Sequence, residues 1–243
     1  MANEQRLSDK VGLVTGGSRG AGLAIARALA GQGMAVGVMA RGAEPVAAAV
    51  GQIEASGGRA LGLVGDVSSP ADVERGVADL VARFGRLDLV VNNAAIGGRG
   101  SAESMPVETW RGIVEVNLVG AYLCARAAIP HLRAAGGGWI VGIASGAARQ
   151  GYPEMSAYCA SKFGLLGLNQ SLAAELGGDN IKVSTILPGS IMTEFGGRGR
   201  EEKEARRRAG DKYIESEDVA QAVLFLLTQP GRAWTQELNV WPF

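Results

Sequence analysis

TGGSRGAG, residues 15–22, decides the fold. It follows VGLVT (11–15), an apolar run of strand length, and leads into AGLAIARALAGQG (21–33), a segment of helix length. A glycine-rich turn between a buried strand and a helix combines a sharp bend, a backbone that a ligand can approach and the unbonded N–H groups of a helix N-terminus. Gly16, Gly20 and Gly22 are the positions that let the chain turn and come close to a pyrophosphate, with Ser18 and Arg19 inside the loop. The competing reading is a tight strand–helix turn that holds nothing.

Outward from this loop, strand-like and helix-like segments alternate. AVGVMA (35–40), ALGLVG (60–65), LDLVVN (87–92), GWIVGIA (138–144) and IKVSTIL (181–187) are apolar almost throughout, and QELNVW (236–241) is a last short strand. Helices are expected from Glu44 to about Ser56, from Ser69-Pro70 onward with Ser as cap and Pro in the first turn, and over 107–135, 156–177 and 216–228. Strands that are apolar on both faces belong to a parallel sheet covered by helices on each side. The expectation is an α/β, doubly wound Rossmann-type sheet of about seven strands, in a single domain over 1–243 with no linker and no internal repeat.

Composition narrows the function. Hydrophobic residues make up 47% of 243, ample for a core. Lys+Arg and Asp+Glu both number 24, which gives no bulk attraction to nucleic acid or an anionic membrane. Cys124 and Cys159 are too few for a disulfide framework and lack metal-ligand spacing, so no metal site is expected. MANEQRLSDK is polar with no apolar signal region, and no apolar run reaches the ~18 residues of a membrane span. A cytoplasmic globular protein is expected. The segment 196–212, Gly-rich and then densely charged, is either a solvated surface helix or a mobile flap over a site.

The end of the second strand distinguishes the two nicotinamide dinucleotides. An acid there binds a ribose 2′-hydroxyl, whereas an arginine accommodates a 2′-phosphate. This chain has Ala40-Arg41, and Arg19 adds a second cation, so the reading is NADP(H).

SAYCASK (156–162) sets Tyr158 beside Cys159, with Lys162 four residues on. Positions four apart share a helix face, so Tyr158 and Lys162 pair while Cys159 points elsewhere. A nearby lysine cation favours the phenolate and is expected to lower the Tyr158 pKa from ~10 toward neutrality. Ser145, thirteen residues earlier at the end of GWIVGIAS, can donate to a substrate carbonyl oxygen. Cys159 and Cys124 are read as packing residues, and His131 as a helix-end residue.

Together with GDVS (65–68), NNAA (92–95), VNLVG (116–120) and PGSIMT (188–193), these motifs resemble the short-chain dehydrogenase/reductase family along nearly the whole chain. The resemblance implies a catalytic set of Asn117, Ser145, Tyr158 and Lys162. Tyr158 would be general acid in reduction and base in oxidation, and Ser145 would orient the carbonyl. Lys162 would bind the nicotinamide ribose, and Asn117 would hold a helix kink and a water leading to Lys162. It further implies that Asp66, with Val67 beside it, contacts the adenine, and that Asn93 and Ala94 line the cofactor. Pro188, Gly189, Ile191 and Thr193 would embrace the nicotinamide amide.

The chain departs from the family pattern at Ala95, in its NVWPF tail and in a short segment after Gly189, which suggests an open or small substrate lid. Carbonyl or alcohol substrates are implied. A 3-oxoacyl-[acyl-carrier-protein] reductase is the alternative, and an inactive dinucleotide-binding regulator a further one. The ends of the two long central helices offer a carrier protein only Arg133, with Glu175 and Asp179 acidic. Trp241 and Phe243 following an edge strand suggest burial in a homo-oligomer, a tetramer in preference to a dimer, or else a tail folded back on its own subunit.

Overall fold

The computed structural model describes residues 7–196 and 199–243. The expectation about the N-terminal ten residues therefore falls largely outside the described residues.

Seven strands form one parallel sheet: β1 (Val11–Thr15), β2 (Ala35–Ala40), β3 (Arg59–Val64), β4 (Leu89–Asn92), β5 (Gly138–Ile143), β6 (Ile181–Pro188) and β7 (Glu237–Val240), in the order β3-β2-β1-β4-β5-β6-β7. Residues alternate between the two faces. Val14, Val36 and Val38 pack against Ile25 and Leu29 of helix α1 (Gly20–Gly31) and Val219 and Val223 of helix α8 (Ser216–Thr228). Leu13, Ala35 and Met39 pack on the other side with Val77 and Leu80 of α3 (Pro70–Phe84) and Leu123, Cys124 and Leu132 of α5 (Gly120–Ala134). Burial on both faces is why these strands are apolar throughout.

Local signals set the helix ends. Ser69 Oγ accepts from Asp72 N at 3.3 Å ahead of Pro70, and α3 stops at Gly85, whose φ of 83° is left-handed. Helix α2 (Ala43–Ala55) covers β2 and β3, and α6 (Ser156–Leu176) packs on β6. The expected 107–135 helix is two: α4 (Val107–Val114) and α5, joined by a π-helical turn over Glu115–Val119 that contains Asn117. Such bulges arise where a side chain or backbone group is diverted from the regular ladder. The stretch Val107–Ala134 is long and apolar enough to cross a membrane, which the sequence reading did not anticipate. Here Leu123, Cys124, Ala128 and Leu132 are buried in the core, which accounts for its apolar character. The charged patch contains α7 (Arg200–Arg208), while its residues 197 and 198 lie outside the described residues.

Asp88 anchors the base of the sheet. Its carboxylate accepts from Val11 N at 3.0 Å, Lys10 Nζ at 3.1 Å and Arg86 Nη2 at 2.7 Å. Burial alone would raise this carboxyl, but the Arg86, Val11 and Lys10 bonds outweigh it and hold it below the usual carboxylate range. At the opposite end, the chain leaves β1 in one direction to build β2 and β3 and returns on the other side for β4. That reversal opens a crevice at the C-terminal edge, where ligands bind in sheets of this kind.

Candidate active site

The crevice is a cleft of about 1090 Å³, lined from the first glycine loop across to the chain's end. Gly16 and Gly20 adopt φ of 62° and 54°, a region that favours glycine. At Gly22 a Cβ would lie 2.2 Å from Gly16 O and 2.5 Å from Asn93 Nδ2, so only glycine fits. Among the described residues no side chain caps the start of α1 and no acid occupies its first turn. Its N–H groups and positive dipole end are thus left for an anion, with Ser18 and Arg19 at the cleft wall.

The loop is tied to β4 by bonds that the sequence motifs alone did not assign. Thr15 Oγ1 donates to Val91 O at 3.2 Å and accepts from Asn93 N at 3.0 Å and Ala94 N at 3.1 Å. Asn93 Nδ2 donates to Thr15 O at 2.9 Å. Thr15 carries no distinctive spacing, so nothing in the sequence marked it beyond its place at the head of the motif.

At the far end, Arg41 follows β2 with its side chain 70% exposed and Nη1 4.0 Å from Asp66 Oδ2. Asp66 Oδ1 accepts from Ser68 N at 2.9 Å and Ser68 Oγ at 2.7 Å, which fixes the turn carrying Val67. Arg41, Asp66 and Val67 all line the cleft, as do Asn93, Ala94, Pro188, Gly189, Ile191 and Thr193. Thr193 arches over the glycine loop: a Cβ on Gly20 would lie 3.5 Å from its methyl.

The hydroxyl pair stands in the middle. The β5 ladder ends at Ile143, so Ser145 lies just past the strand rather than in it, where its Oγ accepts from Ala147 N at 3.2 Å. Tyr158, in the first turn of α6, lines the cleft with Ser145 and is 8% exposed. Lys162, one turn on, lies beneath, with Nζ 5.6 Å from the Tyr158 ring centre and donating to Ile143 O at 2.8 Å. Asn117 sits behind the cleft wall. Its Oδ1 accepts from Ile96 N at 2.8 Å, and its Nδ2 donates to Ile96 O and to Ser161 Oγ, each at 3.0 Å. Ser161 Oγ in turn donates to Tyr158 O at 2.7 Å. The π turn lies at Asn117, and the direct bonds of its side chain go to Ile96 and Ser161.

The expected lowering of the Tyr158 pKa is not met. Burial pushes the phenol up to about 12; the Ser145 hydrogen bond works the other way and Cys159 adds to the rise. Burial also brings the Lys162 ammonium down to about 8, and its proton is directed at Ile143 O. Loss of hydration outweighs what the neighbouring groups return. Cys159 is buried, Cys124 is pushed up to about 12 by burial, and His131 is in the last turn of α5.

The segment after β6 is anchored by α7. Lys203 of α7 donates to Ile191 O at 3.2 Å and Phe195 O at 3.0 Å, which pins both ends of the short segment. The Phe195 ring lies 5.8 Å from that of Tyr158.

The family profile described as short chain dehydrogenase matches residues 10–204. This chain belongs to the short-chain dehydrogenase/reductase family. It acts between an alcohol and a carbonyl, as members of that family do. It is 35% identical to a D-threitol dehydrogenase of Mycolicibacterium smegmatis, over 91% of this chain and 86% of that one. It is 33% identical to a 3-oxoacyl-[acyl-carrier-protein] reductase of Synechocystis, over 96% of both. A metagenomic short-chain oxidoreductase solved in complex with NADP superposes with a TM-score of 0.85 at 34% identity, covering 98% of this chain and 99% of that one. A short-chain dehydrogenase/reductase with these cleft residues has a glycine cradle at one end and a serine–tyrosine pair at the other.

Proposed function

We propose that this chain is an NADPH-dependent reductase of a ketone or aldehyde carbonyl, working reversibly in one catalytic domain over 1–243 and in the cytoplasm. The observation that carries the reading is the Ser145–Tyr158 pair, with Lys162 one turn on, set in the same cleft as the uncapped start of α1.

The residues present fit a dinucleotide, since the Gly22 cradle has no room for a Cβ and the helix N–H groups face the cleft without a cap. Gly16, Ser18, Arg19, Gly20 and Gly22 would hold the pyrophosphate, and Asp66 and Val67 the adenine. Arg41 and Arg19 would meet the 2′-phosphate. Asn93, Ala94, Lys162, Pro188, Gly189, Ile191 and Thr193 would surround the nicotinamide half. NADP in the solved relative is in keeping with this reading.

When bound, the reduced nicotinamide supplies the hydride. The chain handles the proton. Ser145 holds the carbonyl oxygen by a hydrogen bond that strengthens as charge develops on it. Tyr158 gives that oxygen its phenolic proton. A phenol whose pKa is about 12 is fully protonated at neutral pH and ready to donate. Lys162 is the nearby cation that offsets the charge left on the phenolate, and Asn117 fixes Ser161 and thereby the start of α6.

A carrier-protein substrate draws no support from charge, because Arg133 is held by Asp179 at 2.7 Å. We also propose a homo-oligomer, a tetramer in preference to a dimer. Two separate sets of exposed apolar residues favour it: Trp110, Tyr122 and Phe163 on α4–α6, and Phe225 and Phe243 on α8 and the tail.

The test compares kcat/KM for NADPH and NADH in the parent and in Arg41→Asp. The parent prefers NADPH, and the variant loses about ten- to hundredfold of that preference, the worth of a charge-assisted hydrogen bond. A parent that prefers NADH refutes the assignment of Arg19 and Arg41.

A further inference from the structure

Resting on the carbonyl-reductase reading above, we infer that the substrate is a bulky apolar ketone bearing an aryl or alicyclic group, held by Phe195 and Trp241 on either flank of the serine–tyrosine pair. Phe195 comes from the segment after β6. Its ring is tilted by 50° against Tyr158 and reaches the loop that follows β4, where a Cβ on Gly97 would lie 3.5 Å from it. Trp241 comes from the tail after β7. A Cβ on Gly146 would lie 2.6 Å from its Cη2, and one on Gly189 would lie 3.1 Å from its Cε3. The indole therefore rests on the backbone next to Ser145, and the tail is folded back on its own chain.

Both rings are substantially exposed, at 41% and 54%, and both line the cleft. An apolar surface this large beside a reacting group favours a ligand that covers it. Ile96, Met155 and Met192 continue the apolar wall, and the Tyr152 hydroxyl is turned to Gln150.

A polyol or sugar needs converging hydrogen-bond partners next to the reacting carbon. Beyond Arg19 and Arg41, three of the arginines that line the cleft face carboxylates. Arg99 faces Glu154 at 3.9 Å, Arg200 faces Glu204 at 3.2 Å and Arg206 faces Asp211 at 2.6 Å. Lys212 lies 5.5 Å from the Phe243 ring, and it and Glu194 are exposed to solvent. Lys203 acts as a positioning residue, since its two bonds hold the backbone that carries Phe195.

The full chain with NADPH is offered acetophenone, acetone and the keto sugar erythrulose, and acetophenone binding to the Tyr158→Phe holoprotein with NADP is measured by calorimetry. The expected kcat/KM for acetophenone exceeds the other two by at least about tenfold, the scale on which apolar pockets discriminate. Trp241→Ala and Phe195→Ala each weaken acetophenone binding by about tenfold, and their activity loss is larger with acetophenone than with acetone. Trp241→Phe and Phe195→Leu, which keep a large apolar side chain, retain most of the binding and guard against misfolding of the alanine variants. Preference for erythrulose overturns the substrate class while leaving the reductase reading intact. Acetophenone that binds without turnover in the parent refutes the reductase reading instead. Binding indifferent to both alanine substitutions overturns the aromatic walls.

Discussion

Replacing Lys162 with Met removes a buried charge and keeps the apolar stem, and the consequence is a change in how stability depends on pH. Lys162 is 2% exposed, and burial brings its pKa from 10.5 down to about 8. A lysine with a folded pKa below its unfolded one opposes folding wherever both states are charged. The cost is fully present below about pH 8 and is relieved as pH rises from about 8 to 10.5, where the unfolded chain binds more protons than the folded one. A depression of about 2.5 units at about 1.4 kcal/mol per unit amounts to ~3 kcal/mol. Tyr158, raised to about 12, is common to both proteins and largely cancels in the comparison.

Urea melts followed by circular dichroism give the difference between the Lys162→Met variant and the parent at several pH values, at fixed protein concentration so that assembly does not intrude. The parent should gain on the variant by up to ~3 kcal/mol between about pH 7 and 10.5. The absolute offset also contains the Ile143 carbonyl that loses its donor, so only the slope is diagnostic. A difference that is flat across this range refutes the desolvation argument, and one that moves the other way means the ammonium is held by a partner.

Gly22→Ala forces a methyl to within 2.2 Å of Gly16 O, so it should cost about 1–3 kcal/mol in melting experiments and abolish dinucleotide binding by titration. Asp88→Asn should lower stability at neutral pH by about 3–5 kcal/mol, since two cations and Val11 N lose their carboxylate. Because the Asp88 pKa is lowered in the folded state, its contribution is present above the unfolded carboxylate range. It disappears as pH falls through the folded pKa, so the gap between parent and variant should close in acid.

Much of the sheet was legible because each strand is apolar on both faces and each junction carries its own punctuation, as at Ser69-Pro70 and Gly85. Residues 216–228 form a helix as expected, while the 107–135 helix did not reveal its π turn, because periodicity reports apolar spacing and not a diverted hydrogen bond. The glycine loop, Arg41 and the Ser145–Tyr158 pair were readable from local motifs. The sign of the Tyr158 shift was not, since a four-residue spacing shows that Lys162 is near but not how deeply both groups are buried. Phe195 and Trp241 escaped notice as cleft walls for a related reason. Each reaches the site only through contacts distant in sequence, with Gly97 in one case and with Gly146 and Gly189 in the other.

The role of Tyr158 is tested most directly by Tyr158→Phe, which removes only the hydroxyl. NADPH binding, followed by fluorescence titration, should match that of the parent, while carbonyl reduction, followed by loss of NADPH absorbance, should fall by about a hundredfold or more, the scale of a lost general acid. A phenylalanine variant that binds NADPH and still reduces the carbonyl at close to the parent rate would contradict the assignment of Tyr158 as the proton donor.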